Sequence, residues 1–234
     1  MRLPFRQRAR RGAEDEVGAA YASARLPRRR TRWREAAWCT VDLELTGLDP
    51  DRDEIISFGA TPIDDGRVQL RAAVEGLVRP QVTIGEAAIR VHGIRTADLA
   101  RAPLIGDALD PLLRVITGRL LVVHTAAVER AFLGRALGER GLGLRGPLID
   151  TEVLGRVWLR ERDGHSPNNV SLGDLATALG LPADRPHEAP GDALTTAQVF
   201  IALATHLDAR HPETVGSLAN GARRLRSLRA LDAR

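Results

Sequence analysis

Apolar and polar residues follow two different periods along the chain, and the change of period separates two regions. From Ala37 to Val78, runs of apolar and β-branched residues are separated by short turns rich in aspartate, glycine and proline, a pattern typical of strands. The predicted strands form an antiparallel meander and are Ala37–Leu45, Glu54–Ile63 and Arg67–Val78.

Beyond Val78 the apolar residues mostly recur at helical spacing. Two apolar runs, Arg119–His124 and Leu148–Asp150, have the short, uninterrupted character of strands. The predicted helices are Gly85–Arg90, Thr96–Ala100, Gly106–Thr117, Ala126–Arg140, Thr151–Arg160, a helix capped by Ser171 that ends at Leu179, and Gly191–Ala209. A meander followed by alternating helices and strands predicts an α/β fold with a mixed sheet.

Two acidic residues interrupt the apolar pattern of the first strand. Asp42 and Glu44 are two residues apart, so their side chains should point to the same face, while Val41, Leu43 and Leu45 fill the other. Paired carboxylates on a buried strand are costly unless a positive charge lies against them. Since hard cations prefer oxygen ligands, this strand predicts a divalent metal site.

Charge is distributed unevenly along the 234 residues. Residues 1–34 contain 11 arginines and three acidic residues, a net charge of +8, whereas the remainder carries −4. We expect residues 1–34 to be mostly disordered or loosely attached, with a short helix around Glu14–Ala24, and both a phosphate-binding arm and a solvated tail stay open. Residues 35–209 should form the folded domain, and residues 210–234 an Arg-rich helical tail.

Other features of the sequence bear on location. Cys39 is the single cysteine, which suits a reducing cytoplasm. No apolar run approaches the roughly 20 residues that span a bilayer, so we expect no membrane association. Acidic residues rather than an apolar segment follow Arg10 and Arg11, which argues against a twin-arginine export signal.

Further candidate residues lie at the ends of predicted elements, where α/β sheets place their sites. His124 closes the fourth strand, and Glu129 follows in the first turn of the next helix. His187 lies in a proline-rich loop, and Asp192 falls in the first turn of the last long helix. Asp150, which precedes a helix, is interpreted as an N-cap.

The order of these motifs resembles the DEDDh 3′–5′ exonucleases, the superfamily of the epsilon proofreading subunit of DNA polymerase III. The resemblance covers about residues 36–205. The motifs that carry it are Asp42-Leu43-Glu44-Leu45-Thr46-Gly47-Leu48, Val91-His92-Gly93-Ile94, His124-Thr125-Ala126-Ala127-Val128-Glu129, Ile149-Asp150-Thr151 and His187-Glu188-Ala189-Pro190-Gly191-Asp192. It implies an RNase H-like fold with a five-stranded mixed sheet and helices on both faces.

The resemblance also implies the chemistry. Two Mg²⁺ or Mn²⁺ ions would be held by carboxylates: one by Asp42, Glu44 and Asp192, the second by Asp42 with Glu129, directly or through water. His187 would act as general base. The substrate-binding residues would be Thr46, Gly47, Leu48 and His124. The substrate would be nucleic acid with a free 3′ end, DNA in preference to RNA, and residues 35–209 would be the exonuclease domain.

One departure from the family pattern concerns the second motif, which usually ends in aspartate. Here the acid is Glu129, one methylene longer, while Thr125 and Val128 replace the usual Asn and Phe. Retained activity is our main expectation. The alternatives are a weakly active or non-catalytic nucleic-acid- or polymerase-binding module, and an RNA-directed exonuclease. A DNA polymerase subunit is the protein partner to consider, although no polymerase-binding segment is recognisable, and the oligomeric state stays unknown.

Overall fold

The computed structural model describes residues 16–182 and 187–232, apart from the side chains of residues 229, 231 and 232. The expectations for residues 1–15 and 233–234 lie outside the described residues. Within the described part of the chain, no helix is long and apolar enough to cross a bilayer.

A six-stranded mixed sheet forms the centre of the fold, in the order β3-β2-β1-β5-β6, with β4 also paired to β2. β1 runs antiparallel to β2 and parallel to β5, and β5 runs parallel to β6. This arrangement confirms the predicted mixed α/β sheet. The strands are β1 (Trp38–Leu45), β2 (Ile55–Asp64), β3 (Arg67–Val68), β4 (Val74–Leu77), β5 (Leu120–Val123) and β6 (Ile149–Asp150).

The third predicted strand is in fact two short strands, which is why the sheet has six strands rather than five. A 3₁₀ turn, Leu70–Ala72, separates β3 from β4. Pro62 of β2 accepts a hydrogen bond from Gln69 N–H but has no N–H to return to the neighbouring strand. The chain therefore leaves the sheet at this point and rejoins β2 at Val74, opposite Ala60.

The helices begin and end close to their predicted positions, with one exception. Residues 96–100 form turns rather than a short helix. The helices are α1 (residues 16–23), α2 (Glu86–His92), α3 (Ile105–Ile116), α4 (Ala126–Glu139), α5 (Thr151–Asp163), α6 (Leu172–Ala178), α7 (Ala189–Asp208), α8 (Val215–Ala219) and α9 (Gly221–Asp232).

Helices cover both faces of the sheet, as predicted. Val41, Leu43 and Leu45 point to the face covered by α3 and α4, where they belong to one apolar cluster. Trp38 points to the opposite face, towards α7, where its ring lies 5.0 Å from that of Phe200. The acidic side chains of β1, Asp42 and Glu44, therefore lie on the face of the sheet that α7 covers.

Both terminal segments pack against this domain over their described lengths. Trp33 is fully buried, and Arg32 forms an ion pair of 2.9 Å with Asp208 at the end of α7. At the other end of the chain, Leu225 of α9 is buried in the same apolar cluster as Trp33. Residues 16–34 thus contact the domain through Trp33 and Arg32, and α1 lies within the range of the predicted short helix.

Candidate active site

The end of β1 places two carboxylates on one face of the sheet. In the antiparallel register with β2, Asp42 lies opposite Gly59 and Glu44 opposite Ser57. The register shifts immediately after Glu44, at a bulge. Bulges turn a strand locally and redirect its side chains. The two acids therefore mark the point where β1 leaves regular pairing.

The N-terminus of α7 approaches this face closely because Gly59 has no side chain. A Cβ atom at Gly59 would lie 2.3 Å from the carbonyl oxygen of Ala189. Thr40 also holds α7 against β1, since its hydroxyl donates to the carbonyl of Ala193 over 2.7 Å. These contacts bring Asp192, in the first turn of α7, onto Asp42.

Asp42, Glu44 and Asp192 form a compact group of acids. One oxygen from each carboxylate lies within 4.8 Å of the other two. In the described residues, neither Asp42 nor Glu44 has a hydrogen-bond donor or a cation against its carboxylate. Burial, followed by repulsion from neighbouring acids, raises the pKa of Asp42 well above its ordinary value and that of Glu44 to about 7.

Glu129 lies nearby, in the first turn of α4, but is not a member of this three-carboxylate group. The residue is 6% exposed, and its buried Oε2 atom has no hydrogen-bond partner. Burial raises the pKa of Glu129 to about 8, and repulsion from Asp150 adds to the effect. Glu129 in turn contributes to the raised pKa of Asp42, so the two carboxylates interact.

This set of residues fits divalent metal ions. Mg²⁺ and Mn²⁺ prefer carboxylate oxygens, and a cation offsets the repulsion among buried acids. The orphaned Oε2 of Glu129 and the three converging carboxylates are the donors that such ions need.

His187 lies two residues before α7 and is exposed. Its backbone N–H donates to Oδ2 of Asp192 over 2.8 Å, and its backbone has a left-handed φ of 65°. His187 borders a cleft of about 550 Å³ that is also lined by Asp42 and Asp192. An imidazole in this place can exchange protons with water beside the acidic group.

The loop after β1 contains the predicted substrate residues. The Thr46 hydroxyl donates to Oδ1 of Asp53 over 2.9 Å and accepts from the N–H of Glu54 over 3.0 Å, so it is used within the loop. A Cβ at Gly47 would lie 2.4 Å from the Asp53 carboxylate. Leu48, by contrast, is 79% exposed and borders an apolar cleft of about 290 Å³ with Val91 and Val128.

Both histidines near the strand ends hold the backbone in place. Nδ1 of His124 lies 2.9 Å from the Thr151 hydroxyl, and its Nε2 lies 3.1 Å from the carbonyl of Val170. His124 also borders the cleft of about 550 Å³. Ile94 N–H donates to Nδ1 of His92, so Nε2 of His92 carries the proton and donates to the carbonyl of Leu45.

Several supporting residues were not predicted. Asp53 shapes the loop that presents Leu48, and Arg135 of α4 donates to the carbonyls of Pro50 and Asp53 on the same loop. Gly59 was the one with a visible signal, because a glycine inside a strand often marks a close backbone approach.

The amino-acid sequence is similar to those of known exonucleases and DNA polymerase III subunits. A family described as Exonuclease (RNase_T) matches residues 40–200. An epsilon-like protein of DNA polymerase III from Rhodobacter capsulatus is 34% identical over 186 residues, which cover 78% of this chain and 26% of that protein. The DNA polymerase III subunit epsilon of Aquifex aeolicus is 26% identical over 174 residues, which cover 74% of this chain and 83% of that subunit.

The fold is shared with solved exonuclease structures. Exonuclease X in complex with 5′-overhanging duplex DNA superposes with a TM-score of 0.59 at 22% identity, covering 78% of this chain and 99% of that one. The chain spans about a quarter or less of the length of the first curated relatives, which include a PolC-type DNA polymerase III from Thermotoga petrophila, matched over 12% of its length.

Proposed function

Because the chain belongs to the exonuclease (RNase_T) family, we propose that it removes nucleoside monophosphates from the 3′ end of single-stranded or frayed nucleic acid. DNA is the favoured substrate, since the relatives with the same domain are named as parts of DNA polymerase III. A DNA polymerase subunit is the protein partner that those names suggest, and a proofreading or repair role follows from it.

The main support for this proposal is the group of three carboxylates at the end of β1. The carboxylates of Asp42, Glu44 and Asp192 converge within 4.8 Å with no cationic side chain against the first two in the described residues. Protein folding alone gives no reason to hold a buried acid and two half-buried acids together in this way. Phosphodiester hydrolysis by metal ions does, because that chemistry needs a charged, preorganised oxygen cage.

Each residue of the site would have its own role in hydrolysis. Asp42, Glu44 and Asp192 would hold one Mg²⁺ or Mn²⁺ ion, and Asp42 and Glu129 would hold a second. When bound, such a pair of ions polarises the scissile phosphate and stabilises the attacking and leaving oxygens. His187 would take the proton of the attacking water on its imidazole and pass it to solvent, for which its exposure is suited.

The two clefts supply the remaining parts of the site. The terminal base would occupy the apolar cleft beside Leu48 and Val91, because an exposed leucine gains most by covering an apolar ring face. Since the Thr46 hydroxyl is bonded within its loop, Thr46 and Gly47 would contact the terminal nucleotide through their backbone. His124 would border the substrate while holding the end of β5 in place.

The test is digestion of a single-stranded oligonucleotide labelled at its 5′ end, with Mg²⁺, with Mn²⁺ and with EDTA. The wild type should give a ladder of shortening products only with metal. Asp42→Asn should lower the rate at least about a hundredfold, because it removes several kcal/mol of charge stabilisation. Asp65→Asn, at an exposed turn where asparagine is also tolerated, is the matched control.

Other outcomes would redirect the proposal. Full digestion by Asp42→Asn would refute it. Binding of the strand without hydrolysis in either metal would favour the non-catalytic module, a candidate supported by the position of Glu129 outside the three-carboxylate group. An RNA strand of the same sequence, digested faster than the DNA, would favour the RNA-directed alternative.

A further inference from the structure

One carboxylate outside the metal-binding set organises two helices at once. Asp150 is the last residue of β6 and the N-cap of α5, where it accepts the N–H of Glu152 over 2.9 Å. The same carboxylate accepts the N–H groups of Thr125 over 3.2 Å and Ala126 over 3.0 Å, at the start of α4. It thus serves the free N–H groups of two helix N-termini.

The start of α4 depends on this external cap. Thr125 occupies the N-cap position of α4, but its own side chain makes no capping hydrogen bond. Its φ of 66° and ψ of 61° lie in the left-handed region, which a β-branched residue disfavours. The two N–H bonds to Asp150 are therefore what holds the first turn of α4 in this conformation.

The position of α4 matters because its first turn carries Glu129. This residue lies three positions after Ala126, which is less than one helical turn. Its Oε2 atom is buried and unpaired, and the hydrogen bond that its carboxylate does accept comes from its own backbone N–H. The backbone of α4 therefore fixes where the carboxylate points, and Asp150 holds the start of that backbone.

We propose that Asp150 is a positioning residue for the second metal ion: by capping α4 it sets the place of Glu129 relative to Asp42. The inference rests on the proposed function, since it assumes that Glu129 holds an ion. Asp150 itself would act through the backbone of α4, since its oxygens accept three backbone N–H groups.

Two substitutions separate capping of α5 from capping of α4. Asp150→Ser keeps a good N-cap for α5, because a serine hydroxyl accepts from the same kind of N–H. Its single hydroxyl cannot also serve Thr125 and Ala126. Asp150→Asn keeps the size of the side chain but replaces one acceptor oxygen by a donor, so at least one of the three bonds is lost.

The experiment measures Mn²⁺ binding by calorimetry in the absence of nucleic acid, alongside the Mg²⁺ dependence of digestion. Both variants should need at least about tenfold more metal for binding and for digestion. This is the usual effect of removing a residue that orients a metal ligand. Activity should recover largely at saturating metal. Thr214→Ala, which removes the cap of α8 at the far end of α7, is the control for a lost cap alone.

An unchanged metal requirement in Asp150→Ser and Asp150→Asn, with melting lowered as in Thr214→Ala, would overturn the inference. So would loss of the ion held by Asp42, Glu44 and Asp192 while the second ion stays bound. Failure of this inference can be distinguished from failure of the proposed function. A wild type that binds Mn²⁺ without digesting DNA would still allow Mn²⁺ binding to be compared between wild type and variants.

Discussion

Replacing Glu129 by glutamine should make the metal-free protein more stable at neutral pH, although it removes a proposed ligand. The substitution keeps the size of the side chain and removes its charge. Glu129 is 6% exposed and has no positive partner at its buried Oε2. In the absence of metal, its ionised form is therefore unfavourable in the folded protein.

The size of the effect follows from the pKa of Glu129. That pKa is raised from its ordinary value of 4.5 to about 8 in the folded protein. Between these values the folded state binds more protons than the unfolded state, so stability falls as pH rises. At about 1.4 kcal/mol per pH unit, the contribution of Glu129 to the free energy of unfolding falls by roughly 3 kcal/mol between pH 4.5 and pH 7.

The assay is urea denaturation in EDTA from pH 4.5 to pH 8. The difference in unfolding free energy between Glu129→Gln and wild type should grow by about 3 kcal/mol between pH 4.5 and pH 7. Glu44 and Asp42 have raised pKa values too, so the variant should keep a smaller slope of the same sign. Glu139→Gln, at a side chain 57% exposed on the same helix, is the control for removal of a surface carboxylate.

A constant difference for Glu129→Gln would refute this reasoning, because it would mean that Glu129 ionises as freely in the folded as in the unfolded protein. Adding Mn²⁺ at pH 7 provides a second check. The ion should stabilise the wild type more than Glu129→Gln if Glu129 is a ligand, and equal stabilisation would remove Glu129 from the proposed metal site.

Two further substitutions test the backbone around the site. Gly59→Ala should lower stability by roughly 1–3 kcal/mol and reduce digestion, because its Cβ would collide with the carbonyl of Ala189; Gly138→Ala, where a Cβ meets nothing, should instead stabilise by up to about 1 kcal/mol. Thr125→Asn should stabilise by about 1 kcal/mol in urea denaturation, because asparagine tolerates the left-handed conformation, and no gain would show that this position is unstrained.

Local pattern predicted much of the fold and part of the site. Alternation along β1 placed Asp42 and Glu44 on one face because the side-chain direction in a strand depends only on neighbouring residues. The interpretation of Asp150 as an N-cap is confirmed. It could be predicted because a capping hydrogen bond joins residues only a few positions apart. The prediction that Asp192 and Glu129 lie near Asp42 rested on their places near element ends, and both carboxylates raise the pKa of Asp42.

What the pattern missed depends on contacts between residues far apart in the chain. The break between β3 and β4 needs the register of Pro62 against Gln69. The close approach of α7 depends on Gly59 meeting Ala189, and the second role of Asp150 depends on α4 starting beside α5. The position of Glu129 outside the three-carboxylate group likewise depends on how α4 packs, which periodicity does not describe.

Anomalous scattering from Mn²⁺-soaked crystals, which locates and counts the metal ions, tests the proposed two-ion site most directly. Two peaks are expected, one among Asp42, Glu44 and Asp192 and the other against Asp42 and Glu129. No peak at Asp42 would contradict the assignment of this site as the metal centre. A single peak that leaves Glu129 without an ion would contradict the two-ion arrangement.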